Sequence, residues 1–276
     1  MSKKNSPSSF LRVAAVQMNS NNNKDHNKNQ LIEQINQLNS SVELLVLPEV
    51  FNFRSSAGFD ESAAESLSGE TISFLKQCSQ NKNVYIIAGS ITEKTITGKV
   101  YNTTVVINPN GDIIGTYRKI HLFDVDLKSG SIKESHHFQS GAHPVMVTIN
   151  GWRIGLSICY DLRFPELYRH YFLSDADMVV VPSSFTYETG QKHWHTLCRA
   201  RAIENQCYLI APNQCGVGAM NVKTYGHSLI IDPDGMILAE GNDSDSMVLE
   251  AKLLKQSIAE RREAVPIKRH QKNHLL

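Results

Sequence analysis

The stretch Gly155-Leu-Ser-Ile-Cys-Tyr-Asp-Leu-Arg-Phe-Pro-Glu-Leu167 decides the fold. An apolar, β-branched run ends on Cys159, and Asp161, Arg163 and a Pro165-Glu166 helix-start signal follow at once. This order predicts a strand that delivers a thiol to its C-terminal tip and then turns into a helix. A side chain so placed is offered to bound substrate, as in the strained elbow of serine hydrolases, although the sequence pattern here differs. Most cysteines are buried small hydrophobes, so the thiol needs chemical partners from elsewhere in the chain.

Outward from Cys159 the pattern repeats. Short apolar runs at 11–17, 42–47, 84–88, 178–181, 208–211 and 248–251 read as strands. An asparagine-rich loop is expected at 19–29, then a helix with Leu31, Ile32, Ile35 and Leu38 on one face. A second helix carries Ile72, Leu75 and Cys78, and others are expected from Pro165 and from about Gln191 to Gln206. Asn110-Gly111, Asn150-Gly151 and Asp234-Gly235 each separate two apolar runs, which suits tight hairpins. Strands joined both by helices and by hairpins imply an α/β fold with mixed sheets. Residues 1–9 read as a disordered leader and 10–276 as a single domain, because no composition break or linker divides the chain.

Composition narrows the function. The chain of 276 residues is 41% hydrophobic and 20% charged, with a formal net charge of +1. That balance suggests neither nucleic acid nor a membrane surface as the main partner. Five cysteines, none in a C-x-x-C pair, and a polar N-terminus without a secretory signal read as a cytoplasmic protein with reduced thiols.

A thiol attacking an acyl carbon needs a base for its proton and a donor where the oxyanion forms. Glu49 ends one predicted strand and Lys119 another, 70 residues apart, with Cys159 a further 40 residues on. Taken singly, Pro48-Glu49 also reads as an ordinary turn and Lys119 as a solvated strand-end lysine. Together they supply the base and the cation.

The motifs LPEVF around Glu49, YRKIHLFD around Lys119 and CYDLRFPEL around Cys159 resemble those of the nitrilase, or carbon–nitrogen hydrolase, superfamily. The likeness continues through PSSFTYETGQKHW, RARAIENQCY and YGHSLIIDPDG to VPIKRHQ. It implies a four-layer α-β-β-α sandwich with two mixed β-sheets. It also implies a thiol-dependent amidase that needs no cofactor and releases carboxylate and ammonia through a cysteine thioester. On that resemblance Cys159 is the nucleophile and Glu49 the general base and acid. Lys119 holds the oxyanion with the backbone N–H of Tyr160. Glu134 falls where many relatives carry a second glutamate, though it also reads as a solvated loop acid. A homodimer is implied, paired through the helix layer beside the nucleophile strand, which would bury the helix from Pro165 and the one through Trp194.

The wording is closest to amidases of short ω-amides, deaminated glutathione being favoured over α-ketoglutaramate. Such substrates bear carboxylates. Arg163 is the candidate clamp, with a structural pairing to Asp161 or Glu166 as the alternative. Phe185 and Thr189, expected in the loop after strand 178–181, would line the same pocket. Lys119 beside the sulfur should lower the Cys159 pKa. One departure stands out: His195 occupies the place of a glutamate in the relatives' His-Trp-Glu, with consequences for charge near the site or none.

Other readings are an N-carbamoyl amide hydrolase, a true nitrilase and a catalytically dead scaffold. All three motif residues are present, which speaks against the last. Eleven histidines show no metal-ligand spacing, so no metal site is expected. Cys198, Cys207 and Cys215 read as structural, and His121 as a core histidine packed near the site.

Overall fold

The structure, a computed structural model, describes residues 8–55, 59–127, 130–218 and 221–272. Strands β1 (Phe10–Gln17), β2 (Leu44–Val46), β3 (Tyr85–Ile87), β4 (Ile91–Lys94), β5 (Val100–Ile107) and β6 (Ile113–Arg118) belong to one sheet. Within it β1, β2 and β3 run parallel, joined by helices α1 (Lys24–Gln37) and α2 (Glu70–Lys82), whereas β4, β5 and β6 pair antiparallel. A small hairpin follows, β7 (Asp124–Leu127) with β8 (Gly130–Lys133).

A second sheet takes β9 (Met146–Ile149), β10 (Trp152–Leu156), β11 (Met178–Val180), β12 (Tyr208–Ala211), β13 (Leu229–Ile231) and β14 (Ile237–Glu240). Helices α3 (Pro165–Leu173) and α4 (Tyr187–Asn205) connect its parallel strands β10, β11 and β12. β15 (Met247–Leu254) then returns to the first sheet, antiparallel to β1, before α5 (Lys255–Ala264) and α6 (Ile267–His270).

The two-residue period of the strands builds the layers. Leu11, Val13 and Ala15 of β1, with Leu44 and Val46 of β2, pack into one core with Ile154, Leu156 and Val180 of the second sheet. The intervening Ala14, Val16 and Leu45 face the other way, against Leu31 and Ile35 of α1 and Ile72 and Leu75 of α2. Trp194 and Cys198 of α4 and Tyr168 and Tyr171 of α3 cover the second sheet. The result is the α-β-β-α sandwich with two mixed sheets that the motifs implied. At Gly155 of β10 a Cβ would stand 2.6 Å from the Tyr171 ring, so α3 can lie directly on the strand that leads to Cys159.

Several boundaries differ from the sequence reading. The loop expected at 19–29 is shorter, because Asn23 accepts the His26 N–H at 2.9 Å and caps a helix that begins at Lys24. Helix α4 starts at Tyr187 rather than near Gln191, and Thr189 therefore sits in its first turn and not in a loop. The β7–β8 hairpin lacks a two-residue turn signal and was not anticipated. Of the expected leader, residues 1–7 lie outside the described residues. Ser9 does not behave as leader: its carbonyl accepts the Lys255 N–H at 2.9 Å. Among the described residues no helix is long and apolar enough to cross a membrane.

Candidate active site

Cys159 opens a 3₁₀ turn, Cys159–Arg163, between β10 and α3. Its φ of 46° lies in the left-handed region, which costs a non-glycine residue about 1–3 kcal/mol. Neighbouring bonds hold it there. The Cys159 N–H donates to the Pro182 carbonyl at 2.9 Å. Buried Asp161 accepts from Ile158 N–H at 2.9 Å, Tyr117 hydroxyl at 2.6 Å, and His121 N–H and Nδ1 at 3.0 and 2.7 Å. One carboxylate thus ties the Cys159 turn to the chain on either side of Lys119. His121 is half-buried and stacked on Phe164 rather than lost in the core, a correction to its reading from sequence. Val50, next to Glu49, has a φ of 51°, so the acid sits on strained backbone too.

The three strand-end side chains converge. Glu49 is 3% exposed and Lys119 is 1% exposed. Glu49 Oε1 accepts from Lys119 Nζ at 3.0 Å and from Asn102 Nδ2 at 2.9 Å, while Oε2 accepts the Ser184 N–H at 2.8 Å. The charge of the same carboxylate acts on the buried Cys159 thiol. Lys119 Nζ also donates to Glu134 Oε1 and Oε2 at 3.0 and 2.9 Å, and Glu134 Oε2 takes the Phe123 N–H at 2.8 Å. Glu134 is therefore no solvated loop acid.

Charge follows from this geometry. Burial alone would drive the Lys119 pKa down, but Glu134 and Glu49 outweigh it and hold the ammonium well above its ordinary range. Glu134 is pushed up, by burial first and by Glu49, against the pull of Lys119. Cys159 departs from expectation. Burial and then Glu49 raise its pKa well above the usual thiol value, and the lowering influence of Lys119 does not compensate. Tyr160, the second residue of the 3₁₀ turn, presents an N–H of the kind left without an intrahelical partner at a helix start.

A cavity of about 630 Å³ opens onto these groups, lined by Cys159, Tyr160, Arg163, Phe185 and Thr189 among others. The Arg163 guanidinium lies 5.0 Å from the Phe185 ring centre and contacts His193 Nδ1 at 3.3 Å. Among the described residues it pairs with no carboxylate, so the alternative of a structural bridge to Asp161 or Glu166 is not what forms.

The chain as a whole is similar to known proteins. A model of the carbon–nitrogen hydrolase family matches residues 12–263. The chain belongs to the carbon–nitrogen hydrolase family. It is 38% identical over 264 residues to a deaminated glutathione amidase of Synechocystis, covering 94% of this chain and 97% of that protein. To an omega-amidase of Danio rerio it is 33% identical, covering 97% and 96% of the two chains. The crystal structure of Saccharomyces cerevisiae Nit3, a nitrilase-superfamily member, aligns with a TM-score of 0.83 at 28% identity and 98% coverage of both chains.

Sequence reasoning missed several parts of this carbon–nitrogen hydrolase's site. Asn102, in mid-strand β5, donates to Glu49, and the Ser184 N–H reaches it after β11; neither bears a motif signal. Asp161 stood in the quoted stretch, but three of its four bonds reach Tyr117 and His121, some 40 positions away. Arg54 also lines the cavity. His195 is absent from the cavity lining. It faces outward from α4, where His195 Nε2 and His227 Nδ1 each lie 2.9 Å from Glu240 Oε1. These three side chains have the donor types of a metal site that the sequence spacing did not suggest. Glu240 pairs with both histidines in the structure as it stands.

Proposed function

We propose that the protein is a thiol-dependent amidase of carboxylate-bearing ω-amides, with deaminated glutathione favoured over α-ketoglutaramate. The observation that carries this reading is the buried Glu49 carboxylate, bonded to the Lys119 ammonium at 3.0 Å in the cavity that Cys159 also lines. In the proposed cycle Glu49 takes the thiol proton as sulfur attacks the amide carbon. The oxyanion forms against Lys119 Nζ and the Tyr160 N–H. Glu49 returns the proton to the departing nitrogen, the C–N bond breaks, and a thioester remains. Glu49 then deprotonates water, whose oxygen adds to the thioester carbon. The collapsing intermediate expels sulfur, which recovers its proton from Glu49.

In this scheme Glu134 fixes the Lys119 ammonium through both carboxylate oxygens and keeps it charged. Arg163 takes a substrate carboxylate, and Phe185 and Thr189 bound the acyl chain. Ammonia is the amine product for a primary ω-amide; deaminated glutathione, a secondary amide, gives cysteinylglycine. Product analysis with both substrates, on wild type and Cys159→Ala, tests the reading. Turnover of at least one, lost in the variant, is expected; cleavage surviving in Cys159→Ala would remove it.

The single domain and a homodimer belong to the same proposal. Leu173 of α3 and Ile203 of α4, 41% and 37% exposed, offer apolar surface on the helix layer, whereas Trp194 is already buried within one chain. A monomeric mass in sedimentation would count against pairing. Cytoplasmic residence is proposed from five cysteines that all stand as free thiols.

A further inference from the structure

Two guanidinium groups line the cavity, and neither has a carboxylate partner among the described residues. Arg163 is one; Arg54, in the loop after β2, is the other. Arg54 is 6% exposed. Its Nη1 donates to three neutral acceptors: Cys215 O at 3.0 Å, Thr224 Oγ1 at 3.3 Å and Gln214 Oε1 at 3.4 Å. Nε and Nη2 are buried without any partner.

Arg201, also 6% exposed, provides the internal comparison. It donates through Nε to the Leu162 carbonyl and through Nη1 to the Glu204 carboxylate at 3.0 and 2.8 Å. A buried arginine that serves only the fold is satisfied in this way; Arg54 is not. Burial lowers the Arg54 pKa to about 10, which leaves it a cation at neutral pH. A buried charge without a counter-charge is costly, and an anion brought into the cavity removes that cost.

The wall is also shaped around it. A Cβ on Gly218 would come within 2.3 Å of Arg54 Nε, and this glycine has no left-handed φ to explain it. Glycine here makes room for the guanidinium. Gln214 links Arg54 to the acid itself, since its Nε2 donates to the Glu49 carbonyl at 3.0 Å. Among the described residues the acids that line the cavity are Glu49 and Glu134, both engaged by Lys119, and the half-buried Asp60, which accepts the Ser62 N–H.

We propose that Arg54 is the anchor for a second substrate carboxylate, so that the amide this cavity takes is a dianion. The inference rests on the amidase reading above, and it favours a peptide-like ω-amide with two carboxylates over a monoanionic one. Binding exchanges the long Nη1 bonds to Thr224 and Gln214 for a charge-assisted bond of ordinary length.

The test compares deaminated glutathione with its C-terminal carboxamide, which lacks the second carboxylate, and with α-ketoglutaramate. In wild type the acid should be preferred to the carboxamide by about 10- to 100-fold in kcat/KM, carried by KM. Arg54→Gln should erase that preference, with kcat and the α-ketoglutaramate rate little changed, and Arg54→Lys should retain part of it. Because Gln removes an unpaired buried charge, its melting temperature should match or exceed wild type; a lower one with the preference intact marks a structural arginine and overturns the proposal. Calorimetry of acid and carboxamide binding to Cys159→Ala, with and without Arg54→Gln, keeps the two readings apart. Absence of turnover with wild type sinks the amidase reading alone. Equal binding of acid and carboxamide by Cys159→Ala sinks the Arg54 assignment.

Discussion

Glu49 and Lys119, brought together from the ends of β2 and β6, form a 3.0 Å ion pair that is almost wholly out of solvent. Glu49 keeps its second oxygen on the Ser184 N–H, and its charge acts on the Cys159 thiol. Lys119 keeps Glu134. In the proposed cycle the pair joins the group that moves protons to the group that holds charge.

Replacing Lys119 by Met removes the side-chain oxyanion donor and leaves two carboxylates facing each other. A fall of about 10²–10³ in kcat is expected, together with a lower melting temperature, measured by steady-state kinetics and thermal unfolding. Near-normal turnover would remove Lys119 from the chemistry.

Glu134→Gln keeps the size and one acceptor oxygen but loses the charge that holds the ammonium. The Lys119 pKa should drop and kcat should fall about 10- to 100-fold as the ammonium loses its fixed position. A change confined to KM would contradict this role.

Cys159 supplies a prediction with a definite sign. Burial and then Glu49 hold its pKa well up, so the free enzyme's thiol should alkylate slowly with iodoacetamide at neutral pH. The rate should climb through pH 9 without levelling where an ordinary thiol does. Glu49→Gln removes one of the raising influences, so the profile should move to lower pH: the variant reacts faster at pH 8 while its turnover is lost. An unmoved or upward-moved profile would contradict the action of Glu49 on the thiol. By linkage, the folded state favours the neutral thiol, so its contribution to stability is complete below about pH 8.5 and is lost as pH rises.

Asp161→Ala leaves the Ile158 and His121 N–H groups and the Tyr117 hydroxyl without their acceptor. A loss of about 3 kcal/mol in denaturant unfolding is expected, with slower turnover as the Cys159 turn loosens. A variant as stable as wild type would show that the tie is dispensable.

The layers and the three convergent residues were legible because each rests on local pattern: apolar runs of period two, three hairpin dipeptides, and motifs at strand ends. What stayed hidden depends on distance in sequence. The donation from Asn102 to Glu49 exists only because β3 pairs with both β2 and β5 and so brings β5 into the sheet whose strand β2 leads to Glu49. The raised thiol pKa reflects net burial, which the mere proximity of Lys119 did not convey. Arg163 had two local carboxylates as candidate partners, yet Asp161 is saturated by Tyr117 and His121 from the other sheet. Thr189 lay on an early helix turn that no strong start signal marks.

The account stands on an acyl group carried by Cys159. The most direct measurement is intact-mass and peptide analysis of enzyme quenched in acid during turnover of deaminated glutathione. The expected result is an α-ketoglutaryl adduct on the peptide containing Cys159, absent from Cys159→Ala, which should also release no cysteinylglycine. Steady cleavage with no adduct, or with the adduct on another residue, would contradict it.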